Sequence, residues 1–99
     1  MKRRLETKKV KVGSRYIDAL SFALSGKNLI VLKGAKGYVM CGYLNLAVAE
    51  RFKDTAVKVT GVATIGDALK SRVHSLTSRA KRLGIYKGQP IKEAIRLIA

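Results

Sequence analysis

The stretch NLIVLKGAKGYVMCGYLNLAVAERFK, residues 28–53, contains the change of rhythm that decides the fold class. Its first part is two apolar runs, NLIVL and GYVMC, divided by KGAKG. Short apolar runs bounded by glycines read as strands, and the unbroken apolar character of NLIVL places that strand at the centre of a sheet. After Gly42 the period lengthens from two to about 3.6. Leu44, Ala47, Val48 and Phe52 then recur on one helical face, Asn45 is suited to cap the helix, and Arg51 and Lys53 fall where cations complement its dipole. Cys41 therefore stands at a strand-to-helix junction.

Working outward, VKV from Val10 and YIDALSFAL from Tyr16 are further strands, broken at Gly13-Ser14 and at SGKN, residues 25–28. Hairpin-length connections between these runs imply an antiparallel meander. Downstream, TAVKVTGV, residues 55–62, alternates Val57 and Val59 inward with Lys58 and Thr60 outward and ends at Gly61. Thr64 opens a second helix, with Asp67 in a capping-box position. Ala68, Leu69, Val73, Leu76, Ala80 and Leu83 form an apolar stripe, although the Ser/Thr-rich stretch inside it invites a break near Ser75. Gly84 is placed as a helix C′ residue with Ile85 as its apolar partner, and Pro90 at N1 opens a last helix through Ile91, Ala94, Ile95 and Ile98. The expected fold is α+β, one mainly antiparallel sheet of about five strands with about three helices packed on it. A doubly wound parallel sheet is disfavoured, because the first four strands leave no room for crossover helices.

The 99 residues suit a single domain, expected over residues 10–99 and preceded by a basic arm, residues 1–9. One cysteine and one histidine leave neither an internal disulfide nor a structural zinc site, so no metal is expected, and no phosphate-cradling glycine motif points to a cofactor. No uncharged run approaches the roughly 20 residues of a membrane span, and the basic start lacks the apolar core of a signal peptide, so a cytoplasmic location is expected. Charge is the strongest signal. Lys and Arg number 21 against 6 Asp and Glu, a net +15, and between Ala68 and Lys92 there is no acid at all. Such an imbalance attracts polyanions, of which nucleic acid is the commonest inside a cell.

KGYVMCGYLN, residues 36–45, together with VTGVATIGDAL, residues 59–69, and SRAKRLGIYKGQPIKEAI, residues 78–95, resembles a family of small domains of unknown function found in archaea and some bacilli. The resemblance spans most of residues 10–98. It implies an α+β fold able to self-associate and carries no established activity, substrate or cofactor. Two departures stand out: Gln89 and Pro90 follow Gly88 where the family has a Met-Thr/Ser-Gly-like segment, and the acids the family spreads through its last third are missing here from Ala68 to Lys92.

Cys41 is the one candidate nucleophile. Ahead of a helix N-terminus a thiol can ionise, and the amides after Gly42, with Asn45, could hold a small anion, with Gly37 and Gly42 letting it approach the backbone. The competing reading is a buried, inert small residue among Val39, Met40 and Tyr43, and His74 has nothing in the sequence to bring it beside Cys41. The cations offer two groups for nucleic acid: Lys2, Arg3, Arg4, Lys8, Lys9, Lys11 and Arg15 near the start, and Lys70, Arg72, Arg79, Lys81, Arg82 and Lys87 beyond. If residues 72–82 are one helix, Arg72, Ser75, Arg79 and Arg82 form a single stripe able to track phosphates; a break would scatter it. Tyr16, Tyr38, Tyr43 and Tyr86 could stack on bases, but no RNA- or DNA-reading motif is present. The sequence thus favours a non-catalytic accessory protein that binds structured RNA, ribosomal RNA included, in preference to DNA. The alternatives are a small enzyme or ligand-binding protein built on Cys41, and a structural homo-oligomer.

Overall fold

A computed structural model describes residues 5–99. Six strands lie in sequence order in one sheet: β1 (Leu5–Val12), β2 (Arg15–Ala23), β3 (Asn28–Lys33), β4 (Tyr38–Met40), β5 (Ala56–Lys58) and β6 (Ser75–Leu76). Four helices complete the chain: α1 (Leu46–Arg51) between β4 and β5, α2 (Ile65–Lys70) between β5 and β6, and then α3 (Ser78–Arg82) and α4 (Ile91–Ile98). The fold class is the expected α+β, with one strand and one helix more than expected. All strand pairs are antiparallel except β4 and β5, which run parallel with Tyr38 opposite Ala56 and Met40 opposite Lys58. A parallel pair needs a crossover connection, and the segment carrying α1 supplies it.

The expected arm is corrected where it is described. Leu5 to Lys9 belong to β1, which pairs with β2 from Leu5 opposite Phe22 to Val12 opposite Arg15. Gly13 takes φ 62° in the two-residue turn between them, a conformation a hairpin turn requires and glycine supplies without strain. Lys2, Arg3 and Arg4 lie outside the described residues. Pro90 is the cap of α4, one position before the expected N1.

Alternation gives the sheet two faces. One carries Ile17, Ala19, Ile30, Leu32, Val39 and Val57, all at most 1% exposed. Onto it α4 brings Ile91, Ala94, Ile95 and Ile98, the four positions the periodicity selects, and α2 brings Ile65 and Ala68. Among the described residues, the other face is covered only over β4 and β5, where α1 packs through Ala49, with Leu44 just before it, against Ala56, Tyr38 and Met40. The expected apolar face of α1 is therefore corrected: Ala47 is exposed, Val48 is 38% exposed and Phe52 73%.

The helix ends follow local chemistry. Asn45 accepts from Val48 N, and Thr64 accepts from Asp67 N at 3.0 Å while Asp67 reaches back to Ala63 N at 3.1 Å. α3 closes in the double bond of a Schellman ending, Ile85 N to Ala80 O at 3.1 Å and Gly84 N to Lys81 O at 3.0 Å. Thr77 is the buried polar pin: its hydroxyl donates to Asp54 O at 2.7 Å and accepts from Ala56 N at 3.1 Å and Ala80 N at 3.4 Å, so one side chain caps α3 and holds the start of β5.

Gly37 and Gly42, both expected to open the backbone to a ligand, differ. A Cβ on Gly37 would collide with the Thr55 carbonyl oxygen, because the parallel pairing brings these segments together; one on Gly42 meets nothing within 4 Å. Gly37→Ala should therefore destabilise by about 1–3 kcal/mol, and Gly42→Ala should stay within about 0.5 kcal/mol of the parent. Denaturant melts of the two variants check this; equal costs would contradict the close approach.

Candidate functional site

Among the described residues, two surface features stand out for function, a cleft at one end of the sheet and the uncovered part of its second face. The cleft, about 720 Å³, is lined by Gly26, Lys27, Asn28, Cys41, Gly42, Tyr43, Gly61, Val62 and Ala63. These come from the β2–β3 turn and from the segments following β4 and β5. Because β4 and β5 are parallel, their carboxyl ends open at the same place, which is where ligand sites form in sheets with crossover connections. Asn28 donates to Ala63 O at 2.8 Å and so ties two walls of the cleft together.

Cys41 lies at the base of that cleft and is 4% exposed. Its Sγ accepts from Ile30 N at 3.4 Å and donates to Asn28 O at 3.8 Å, while its own N–H donates to Ile30 O at 3.1 Å. The sulfur thus extends the β3–β4 ladder past the last residue of β4. Cys41 and Gly42 share the cleft, but Asn45 is turned to cap its own helix and does not line it. His74 is exposed, with Nδ1 3.1 Å from Ser75 Oγ, and is likewise absent from the lining. Among the described residues neither a base nor a carboxylate bonds to the thiol, and no group of His, Cys, Asp and Glu could hold a metal.

The basic residues are dispersed. The single stripe expected on residues 72–82 is corrected: α2 stops at Ser71, Arg72 bridges to Pro90 and donates to Gly88 O at 3.0 Å, Ser75 is in β6, and only Arg79 and Arg82 remain helical, in α3. The break arises because residues 75–76 pair with β5 and because Thr77 caps a new helix. Lys70 ends α2, Lys81 sits in α3 and Lys87 in the turn before α4, all exposed. Lys8 and Arg15 share the register of the helix-covered face, Arg15 donating to Ala99 O at 3.3 Å.

Lys9 and Lys11 point the other way, onto the uncovered face. The register places Lys9, Asp18, Lys33 and Tyr38 in one cross-strand row, and Thr7, Leu20, Val31, Met40 and Lys58 in the next. No residue of this face is buried on β1, β2 or β3. Lys9 and Asp18, 2.6 Å apart, form the only ion pair among the described residues. The bond from Lys9 holds the Asp18 carboxyl below its usual range, with the charge of Lys9 and, more weakly, Lys33 adding to it. At the far side Tyr38 donates to Asp54 at 2.9 Å, and burial first, then that partner, pushes its pKa up to about 12. Glu50 on α1 accepts from Ser78 N at 2.9 Å; hydrogen bonding to Ser78 holds its carboxyl below the ordinary range, with Lys81 and Arg82 adding to it. Lys33 and Lys58, absent from the two expected cationic groups, are visible as part of this surface only through the register.

Comparison with known proteins places the chain. Residues 40–98 match the family model described as Domain of unknown function (DUF1805). The uncharacterized protein YunC of Bacillus subtilis (strain 168) is 32% identical over 81 residues, 78% of this chain and 80% of that protein. The crystal structure of TA1206, a protein of unknown function from Thermoplasma acidophilum, superposes with a TM-score of 0.93 at 30% identity, over 96% of this chain and 93% of that one. The chain belongs to the DUF1805 family, in agreement with the resemblance drawn from residues 36–45, 59–69 and 78–95.

With both polar contacts of its sulfur made to β3, Cys41 should alkylate slowly in the folded protein and completely in denaturant. Mass-spectrometric counting of modified chains over time reads this out. Rapid modification without denaturant would show a free, nucleophilic thiol and reopen the enzymatic use of the cleft.

Proposed function

We propose that this member of the family is a non-catalytic accessory protein that binds structured RNA, ribosomal RNA included, through its phosphates, in preference to DNA, in the cytoplasm. The observation that carries this reading is the ratio of cations to partners. The chain has 21 Lys and Arg against 6 Asp and Glu, a net charge of +15, and among the described residues a single cation, Lys9, is ion-paired, with Asp18. A compact protein leaves so much charge unpaired at the cost of self-repulsion, which a polyanion relieves. The exposed cations fall on β1, on the sheet face and around α3, so a folded RNA touching several sides of the protein suits them better than one groove of a duplex does. The thiol supports the non-catalytic half of the reading, since it is occupied by backbone groups of β3 and has no base beside it.

A second reading rests on the cleft. Its volume of about 720 Å³ lies within the usual range of small-molecule sites. Asn28, Lys27 and the backbone around Gly42 would give a ligand there its polar contacts, with Cys41 as part of the floor.

Equilibrium binding of the purified, nucleic-acid-free protein to a structured RNA and to duplex DNA across a salt series tests the leading reading. The expected result is RNA preferred, with log K falling linearly in log salt by about 0.9 for each duplex phosphate neutralised. Absence of salt-dependent binding to either would overturn it and leave the cleft as the functional feature.

A further inference from the structure

The uncovered face of β1, β2 and β3 has a composition that packing alone does not explain. It carries two exposed aromatic rings, Tyr16 at 61% and Phe22 at 40% exposure. They stand at opposite ends of β2, six residues apart and on the same side of the strand, about 20 Å from one another at the usual rise. Between them Leu20 and Val31 are directly paired and half-buried, giving a shallow apolar floor. A depression of about 520 Å³ lies over this floor, with Lys9 and Lys33 on its walls. Lys11 is directly opposite Tyr16, and Lys58 closes the far end of the Leu20 row. The one acid on β1 to β3 that shares this face is Asp18, already paired with Lys9.

Charge decides the occupant. A second copy of this chain would bring lysines against lysines, each copy carrying +15. A polyanion with flat apolar rings in it fits both features at once: phosphates meet Lys11, Lys33 and Lys58, and bases meet Tyr16, Phe22 and the floor. Unpaired bases can stack in this way, whereas in a helix their faces are hidden. We infer that this sheet face is a docking platform for a single-stranded segment of RNA, with Tyr16 and Phe22 as stacking anchors at its two ends. The inference rests on the RNA-binding reading above and adds the surface and the form of RNA. The Cys41 cleft takes no part in it.

Fluorescence anisotropy with a labelled single-stranded oligouridylate tests the assignment, using the full chain and four variants: Tyr16→Ala, Phe22→Ala, Lys33→Gln, and the doubly substituted Lys92→Gln/Arg96→Gln on α4 as control. All five positions are exposed, and circular dichroism confirms that each variant is folded. Each aromatic variant should weaken binding roughly tenfold with little change in salt slope, the behaviour of a lost stacking contact. Lys33→Gln should lower the salt slope by about 0.7, the value for one single-strand phosphate, and the α4 control should bind the oligonucleotide as the parent does. If the parent binds with a steep salt slope and the Tyr16 and Phe22 variants match it, the platform is overturned while the RNA-binding reading stands. If the parent binds neither this oligonucleotide nor a structured RNA, both fall. Light scattering on the same samples gives the remaining outcome: a parent dimer that Tyr16→Ala and Phe22→Ala both dissociate would assign the face to a second copy and overturn the platform.

Discussion

The parallel pairing of β4 with β5 is the constraint on which the rest of the molecule depends. Tyr38 N donates to Thr55 O at 3.0 Å and Val59 N to Met40 O at 2.9 Å, so three-residue strands are locked at both ends. Because the strands point the same way, the chain has to return across the sheet between them, and that return carries α1 onto the face opposite α2 and α4. The same geometry brings the Gly37 backbone against Thr55, sets Tyr38 over Asp54 and directs the ends of both strands into the Cys41 cleft. Thr77 then fixes the outer side, since its hydroxyl bonds to both Asp54 and Ala56.

From that crossover follows a division of the sheet into a face that makes the fold and a face left available. Four isoleucine or alanine positions of α4 and two of α2 complete the first, and the residues there are almost wholly removed from water. α1, six residues long, covers just the β4–β5 end of the second. The long β1–β2 hairpin extends that second face well beyond the reach of α1, with lysines where an edge strand needs protection against pairing with other chains. The same lysines, with Tyr16 and Phe22 among them, make the surface attractive to a polyanion carrying rings.

The sequence displayed most of this architecture wherever one physical requirement was decisive. The i, i+3, i+4, i+7 spacing of α4, the alternation of Val57 and Val59, the caps at Asn45 and Thr64 and the ending at Gly84-Ile85 each reflect local chemistry, and the structure contains them all. What was hidden depended on partners distant in the chain. The first part of β1, Leu5 to Lys9, reads as a polar arm because it lies at the sheet edge with every residue exposed, and its strand character comes from pairing with β2. β6 is two residues whose only distinction is the register with Val57 and Lys58. The periodicity puts Ala47 and Val48 on the inner side of α1, but over six residues Ala49 is as plausible an inward position, and contact with Ala56 selects it. The parallel pairing did have a signal, a helix-length segment between two neighbouring strands, which is what a βαβ crossover looks like in sequence. Of the candidate site, Cys41 and Gly42 were visible as a junction, but the walls from residues 26–28 and 61–63 required the fold, and so did the grouping of Lys33 and Lys58 with Lys9 and Lys11.

The most direct test of the claim that the sheet's open face, and not the cleft, is the working surface is a nuclear magnetic resonance titration of the isotopically labelled protein with single-stranded RNA. Amide signals of Lys9, Lys11, Tyr16, Phe22 and Lys33 should move together with added RNA, while those of Ile91 to Ile98 in α4 and of Gly42 and Gly61 in the cleft stay in place. Shifts concentrated on Asn28, Cys41, Gly42 and Gly61, with the β1–β2 hairpin unaffected, would contradict the account and transfer function to the cleft.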